Sequence, residues 1–281
     1  MGKLLVELAI ADAYASGFEF SDFQKIKACN NLMAYLSHDL YGFTAKYTDD
    51  TQMSIAIAEM LVNGCEWTEL NVADKLVQSF RRDPRNGYSK GFYELLISSN
   101  SGKDLISKLN PKSERNGAAI RSAPIGFLKS KKEIVAAATV QAKVTHNTSI
   151  AINSSCAVAL SAHFGLHCEG KLLELDCFLE REGFGEWDYL WRGTPSVEAY
   201  ETVSAALTCV RRNDKLSALL VDCTALGGDT DSVSAIAISI ATCFDEYIHD
   251  LPAHLIDGLN EPHYGISFLA DLDKKLERLY L

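Results

Sequence analysis

The sequence predicts an all-α protein. Three observations predict it. Apolar residues recur at helical spacing through most of the 281 residues. The stretches between them are short and carry Gly, Asn, Asp and Pro. Clean two-residue alternation over a strand's length is scarce. Some 47% of the residues are apolar, enough for a sizeable core. No internal repeat is evident, so residues 1–281 are expected to form one domain of roughly a dozen helices.

The elements follow in order. GKLLVELAIADAYASG (2–17) is apolar at helical spacing and ends on glycine. SDFQKIKACNNLMAYL (21–36) opens on a Ser-Asp cap. QMSIAIAEMLVNG (52–64), WTELNVADKLVQSFRRD (67–83), GYSKGFYELLISS (87–99) and KKEIVAAATVQAKVT (131–145) come next. TSIAINSSCAVALSAHFG (148–165), KLLELDCFLERE (171–182) and SVEAYETVSAALTCVRR (196–212) continue the pattern. KLSALLVDCTALGG (215–228), SVSAIAISIATCF (232–244) and ISFLADLDKKLERLYL (266–281) complete it. Several are apolar on most sides and are expected to be buried. EREGFGEWDYLWRGTPS (180–196) reads as an ordered loop or a lid.

The formal net charge of −10 disfavours nucleic-acid binding through bulk electrostatics. The eight cysteines, Cys29, Cys65, Cys156, Cys168, Cys177, Cys209, Cys223 and Cys243, form no CxxC pair. Most lie in apolar runs, as buried reduced thiols do. Glu7 and Asp12 interrupt the opening apolar stretch, which argues against a signal peptide. No apolar run approaches the ~20 residues of a membrane span. A cytoplasmic protein is expected, with no membrane partner and no coiled-coil seam, so a monomer.

Two acidic turns stand at helix beginnings. YTDDTQMSIA (47–56) places Asp49 and Asp50 between Thr48 and Thr51. LGGDTDSVSAI (226–236) places Asp229 and Asp231 beside Thr230 and Ser232, behind Gly227 and Gly228. Capping alone accounts for either turn, because such side chains accept the free N–H groups of a first turn. A cap needs one oxygen, however, and each turn supplies two carboxylates and flanking hydroxyls. If the turns meet, four carboxylates share one space. Two like charges ~4 Å apart repel by about 4 kcal/mol at an effective dielectric near 20. Convergence therefore calls for bound cations or for protonation. Hard oxygen donors of this kind select Mg²⁺, Mn²⁺ or Ca²⁺ over zinc.

These motifs together resemble the ADP-ribosylglycohydrolase family, of the dinitrogenase reductase-activating glycohydrolase type. ADAYASGFEF (11–20) resembles its Gly-Asp-Ala-Leu-Gly…Glu-Phe opening. RNGAAIRSAPIG (115–126) is similar to its Gly-Asn-Gly…Met-Arg…Pro-Ile-Gly loop, and THNTSIAI (145–152) to its Thr-His turn. The resemblance implies an orthogonal helical bundle around a cleft holding two Mg²⁺ or Mn²⁺ ions. It implies hydrolysis at the C1″ of the distal ribose, releasing ADP-ribose from a protein or small-molecule conjugate. Thr48, Asp49 and Asp50 correspond to its first ligand group, and Asp229, Asp231 and Ser232 to its second. Asp50 and Asp231 are the candidates for general acid–base work. Glu19 matches an acid that lies near the metals on a mobile loop in some relatives, and stands beside them as a catalytic candidate.

The remaining site expectations concern the ligand. Asn116 and Gly117 resemble the loop that approaches the diphosphate and ribose, where backbone N–H groups bind phosphate without net positive charge. His146, Tyr88, Gly227 and Gly228 are expected near the ligand. Trp187 and Trp191 read as packing residues. The sequence departs from the family at Ala11 and Ala15, where glycines are usual, at Arg115, usually glycine, and at Ile120, usually methionine. Protein arginine is the expected acceptor. Serine, O-acetyl-ADP-ribose and a nucleobase are alternatives, as is a binding or toxin-neutralising protein without turnover. A prenyl-diphosphate enzyme is disfavoured, because Asp49–Asp50 lack the third acid of an Asp-Asp-x-x-Asp pattern.

Overall fold

The computed structural model describes residues 3–167 and 170–281. Its α-helices, in chain order, are α1 (Leu4–Ala15), α2 (Phe23–Cys29), α3 (Asp49–Val62), α4 (Glu69–Arg82) and α5 (Lys90–Ser98). Then come α6 (Gly102–Lys108), α7 (Gly117–Ile120), α8 (Lys131–Thr145), α9 (Ser149–Leu166) and α10 (Leu175–Arg181). The last are α11 (Ala199–Arg212), α12 (Leu216–Ala225), α13 (Thr230–Ala241), α14 (Ala253–Gly258) and α15 (Ile266–Tyr280). No strand forms among the described residues; only isolated bridges occur. The fold is all-α.

Two helices make the centre. Every residue of α1 and of α13 is buried, and the two pack on each other more extensively than any other pair. Neither needs a polar face, because each is enclosed by other helices along most of its length. Leu5, Leu8, Ile10, Ile236 and Ile238 are fully enclosed, each stabilising the fold by roughly 1.5–3 kcal/mol. Ala11 and Ala15 are fully buried here, so the core accommodates their methyl groups. Around this pair, α3, α9, α11, α12 and α15 close one contiguous core from Leu4 to Leu276. α4 covers the outside with an amphipathic face, turning Val72, Leu76 and Phe80 inward.

Several helix starts are set by their caps. Thr68, Ser101 and Thr148 each accept a backbone N–H from the first turn of the helix they precede. α9 is long and apolar enough to cross a membrane by length and composition, contrary to the expectation that no such run exists. Its window is 78% buried within the protein, where it packs on α8 and α11.

The structure corrects three other expectations. Residues 30–36, expected to be helical, leave the helix after Cys29. Asn30 instead accepts from the Tyr14 hydroxyl and donates to Val221 O, and Leu32 turns left-handed at φ 60°. These long-range bonds outweigh local propensity. The acidic turn at 49–50 belongs to α3, which begins at Asp49. Cys177 is exposed and Cys29 and Cys65 are half-buried, unlike buried Cys156, Cys209, Cys223 and Cys243; Cys168 lies outside the described residues.

Candidate metal centre and ligand cleft

The starts of α3 and α13 meet at one end of the central pair. Together with Glu19, which follows the short 3-10 turn Ser16–Phe18, they floor a cleft of about 620 Å³. Glu19, Asp49, Asp50, Asp229, Asp231 and Ser232 all line it. One carboxylate oxygen each from Glu19, Asp229 and Asp231 lies within 4.8 Å of the others.

The second turn is held by backbone. Gly227 and Gly228 have φ of 70° and 69°, a conformation that favours glycine. A Cβ on Gly228 would meet Pro195 O at 2.0 Å. Asp229 N donates to Pro195 O at 3.1 Å, and Phe20 N donates to Gly228 O at 2.8 Å. The turn is thereby tied to the end of the 180–196 loop and to the residue after Glu19. The two glycines do not line the cleft, which corrects the expectation that they approach a ligand. The close approach Gly228 permits is to the protein's own backbone, at Pro195 O.

The first turn has a different anchor, which the sequence reading missed. Asp12 is fully buried on α1. Its carboxylate accepts Thr48 N at 2.9 Å, Thr51 N at 3.1 Å and Thr51 Oγ1 at 2.5 Å. A side chain from one helix therefore caps the start of another. The visible signal was one of two acids, Glu7 and Asp12, inside a helix that is otherwise almost entirely apolar. Thr48 is also buried, and its hydroxyl accepts Asp50 N at 3.3 Å, the capping role. Thr48 does not line the cleft, whereas Asp49 and Asp50 do. Over Asp49 lies Gly87 at φ 116°, where a Cβ would sit 2.2 Å from Asp49 Oδ1.

The electrostatics follow from this crowding. Burial, then Asp49, Asp12 and Asp229, push the Asp50 carboxyl well above the usual carboxylate range. Burial, then Glu19, Asp229 and Asp50, do the same to Asp231. Asp229 is pushed up to about 6 by burial, although bonds from Asp231, Asn116 and Ser232 oppose it. Asp50 Oδ2 is buried and has no hydrogen-bond partner among the described residues. An orphaned carboxylate oxygen among like charges fits a hard divalent cation, which would reverse these shifts.

The other expected residues divide. Asn116 lines the cleft, but its amide donates to Asp229 Oδ2 at 2.6 Å and to Thr202 Oγ1 at 3.0 Å, so it supports the acidic floor. Gly117 also lines the cleft, and a Cβ there would meet His146 Cε1 at 3.0 Å. The His146 ring bonds Thr145 Oγ1 through Nδ1 at 2.6 Å. Burial, with Arg121 and Arg115 nearby, holds it down to about 3, so His146 is neutral. Tyr88 lines the wall and donates to Gln52 Oε1 at 2.8 Å. Arg115 is exposed at the rim. Trp187 stacks on Tyr200, and Trp191 donates to Gly193 O; neither reaches the cleft.

Arg121 was also missed. It is fully buried at the back of the cleft. It bonds Gln141 Oε1, Gln141 O and Thr145 Oγ1. Burial lowers it to about 10, against an opposing pull from Tyr88 and Asp49, so it stays cationic beside the acids.

The chain is similar to known proteins along almost its whole length. The ADP-ribosylglycohydrolase family profile matches residues 4–280. The chain is 24% identical to ADP-ribosylhydrolase ARH3 of Xenopus tropicalis, covering 70% of this chain and 73% of that protein. It is 26% identical to ADP-ribosylhydrolase ARH3 of Mus musculus, covering 72% and 70%. A solved structure described as an ADP-ribosylglycohydrolase-related protein complex superposes with a TM-score of 0.74 at 19% identity, covering 99% of this chain and 96% of that one. A family match across almost the whole chain sets aside the prenyl-diphosphate alternative. The chain belongs to the ADP-ribosylglycohydrolase family, and it is a glycosidic-bond hydrolase.

Proposed function

We propose that the protein is a Mg²⁺- or Mn²⁺-dependent hydrolase that releases ADP-ribose from a modified acceptor by cleaving the bond at the distal ribose C1″. The observation that carries this reading is the convergence of Glu19, Asp49, Asp50, Asp229 and Asp231 on one cleft, with Asp50 Oδ2 left without a hydrogen-bond partner among the described residues. Five carboxylates on one cleft, with Asp50, Asp229 and Asp231 buried, are consistent with a cation-binding floor and excessive for capping.

Asp49 and Asp50 on one side, and Asp229, Asp231 and the Ser232 hydroxyl on the other, would hold two divalent ions. Bound there, such ions supply Lewis-acid stabilisation of charge at the sugar and a more acidic bound water. The chain's own groups do the rest. One carboxylate, Asp50 or Asp231, accepts the proton of the attacking water as its oxygen bonds to C1″, and the proton passes to the acceptor as the bond from C1″ to it breaks. The cleft wall of Tyr88, Gly117 and neutral His146 orients the ribose. Asn116 fixes the rotamer of Asp229. Buried Arg121 offsets part of the negative charge without competing as a ligand, because its guanidinium is already bonded.

For the acceptor we propose protein arginine. A ribosylated guanidinium keeps its positive charge, and five carboxylates against two divalent ions leave the floor with a small negative excess that favours a cationic leaving group. The test incubates the protein with arginine-linked and serine-linked ADP-ribosylated proteins and with O-acetyl-ADP-ribose, in Mg²⁺ and in EDTA, and quantifies free ADP-ribose. Mg²⁺-dependent release from the arginine-linked substrate supports the whole reading. Release from another substrate alone changes the acceptor and keeps the reaction. ADP-ribose binding with no release from any substrate would leave a binding protein.

A further inference from the structure

Glu19 is the one acid of the cluster that comes from neither turn, and it has a partner of its own. His38 Nε2 lies 2.7 Å from Glu19 Oε2. The tautomer is fixed by the other side of the ring. Leu40 N–H donates to His38 Nδ1 at 3.1 Å, and a backbone N–H only donates. Nδ1 is therefore an acceptor, and Nε2 carries the proton that Glu19 receives.

The ring is locked in place. It is buried, with Tyr41 at 4.7 Å and Phe43 at 5.0 Å between ring centroids. The loop that carries it is closed by the Ser37–Thr44 bridge and by bonds from His38 N to Phe43 O and from Gly42 N to His38 O. Asp39 ties the same loop back to Ser21 Oγ and Lys25 Nζ, just beyond Glu19. The approach depends on Gly17, where a Cβ would meet Leu36 Cβ and Leu36 O at 2.9 Å. The loop also sends Tyr41 into the cleft wall.

We propose that His38 is a positioning residue that holds the Glu19 carboxylate against Asp229 and Asp231, so that the 37–44 loop builds one side of the metal centre. It rests on the reading of Glu19 as a member of that centre. A carboxylate has about four acceptor sites, so one bond from His38 leaves the remainder for the cluster. Partners of this kind, one step behind a ligand, fix its orientation at a cost of 10–100-fold in metal affinity when removed.

The experiment is Mn²⁺ titration followed by electron paramagnetic resonance, with thermal melts of each variant in EDTA. His38→Gln keeps a donor reaching to the Nε2 position and loses the ring. His38→Phe keeps ring packing and loses the donor. The expected result is Mn²⁺ affinity about 10–100-fold weaker in His38→Phe and within about threefold of wild type in His38→Gln. If His38→Phe does not fold, His38→Asn, whose shorter amide falls short of Glu19, replaces it with the same expectation. Wild-type affinity in the donor-less variant, or the reverse order between the two, overturns the proposal in favour of a packing role. Glu19→Gln and Asp231→Asn separate the two levels. Wild-type Mn²⁺ binding in Glu19→Gln removes Glu19, and this inference with it, from the centre. Wild-type binding in Asp231→Asn overturns the metal reading itself.

Discussion

The molecule buries carboxylates in two ways. Asp12 and Asp273 are enclosed among donors: Asp12 takes the start of α3, and Asp273 on α15 takes Leu5 N at 3.0 Å and Val6 N at 3.2 Å at the start of α1. Both stitch one helix to the N-terminus of another, satisfying N–H groups that would otherwise be orphans. The cleft acids are as crowded, yet Asp50 Oδ2 has no donor among the described residues and Asp231 faces Glu19, Asp229 and Asp50. A buried acid surrounded by N–H groups is structural. A buried acid surrounded by other acids fits the proposed cation-binding role. Neutralising each kind should therefore have opposite consequences.

The largest effect is expected in the cleft. Asp50→Asn and Asp231→Asn should each lower turnover by at least ~100-fold and weaken Mg²⁺ binding. In EDTA both variants should be as stable as wild type or more so, because a repelling charge has gone. Mg²⁺ at 100 times its Kd should stabilise wild type by about 2.7 kcal/mol and these variants by much less. Denaturant melts with and without Mg²⁺, beside the release assay, check both halves. Variants that lose stability while keeping turnover would restore simple capping at both turns.

The second effect has the opposite sign. Asp12→Ala should cost about 3–5 kcal/mol, because Thr48 N, Thr51 N and Thr51 Oγ1 lose a buried acceptor together. Whatever fraction remains folded should turn over more slowly, since the first acidic turn is no longer seated. A urea midpoint that does not move would show that the α3 start is held by Thr48 alone, and the contrast between stitching and cleft acids would lose one of its members.

The two classes also differ in how legible they are. The cleft acids announce themselves in sequence because they cluster in TDDT and GGDTDS, beside glycines, at the edge of apolar runs. Helix existence was readable for the same reason, since periodicity marks α1, α8 and α15 within a residue or two. The short α6, α7 and α14 were not, because one or two turns carry too little periodic signal. The stitching acids are single residues whose meaning lies 36 to 268 positions away in the chain. His38 likewise takes its meaning from Glu19, and Arg121, although it lies in a matched motif, takes its role from Gln141 and Thr145. Asn116 shows the limit from the other side: its motif was visible, and its amide is spent on Asp229. Chemistry that clusters in sequence could be read, and chemistry assembled by the fold could not.

The smallest expected effect refines the stitching class through pH. Burial, against bonds from Leu5 and Val6, pushes Asp273 up to about 7 from an ordinary value of 3.8. The folded state therefore binds a proton that the unfolded state releases between about pH 4 and pH 7. Its contribution to stability is full below pH 4 and is lost as pH rises through 7, with a slope of at most ~1.4 kcal/mol per pH unit. Asp12, pushed up to about 6, acts in the same direction. His146, held down to about 3, acts in the opposite one, favouring the fold above its ordinary 6.5 and losing that as pH falls. The difference between wild type and Asp273→Asn isolates one group. Urea melts from pH 4.5 to 7.5 in EDTA should show the variant falling less steeply with pH than wild type, and by pH 7.5 the gap between them should have narrowed or reversed. Parallel curves would mean that Asp273 is already ionised across this range, held by the α1 N–H groups as firmly as a cation would hold the cleft acids.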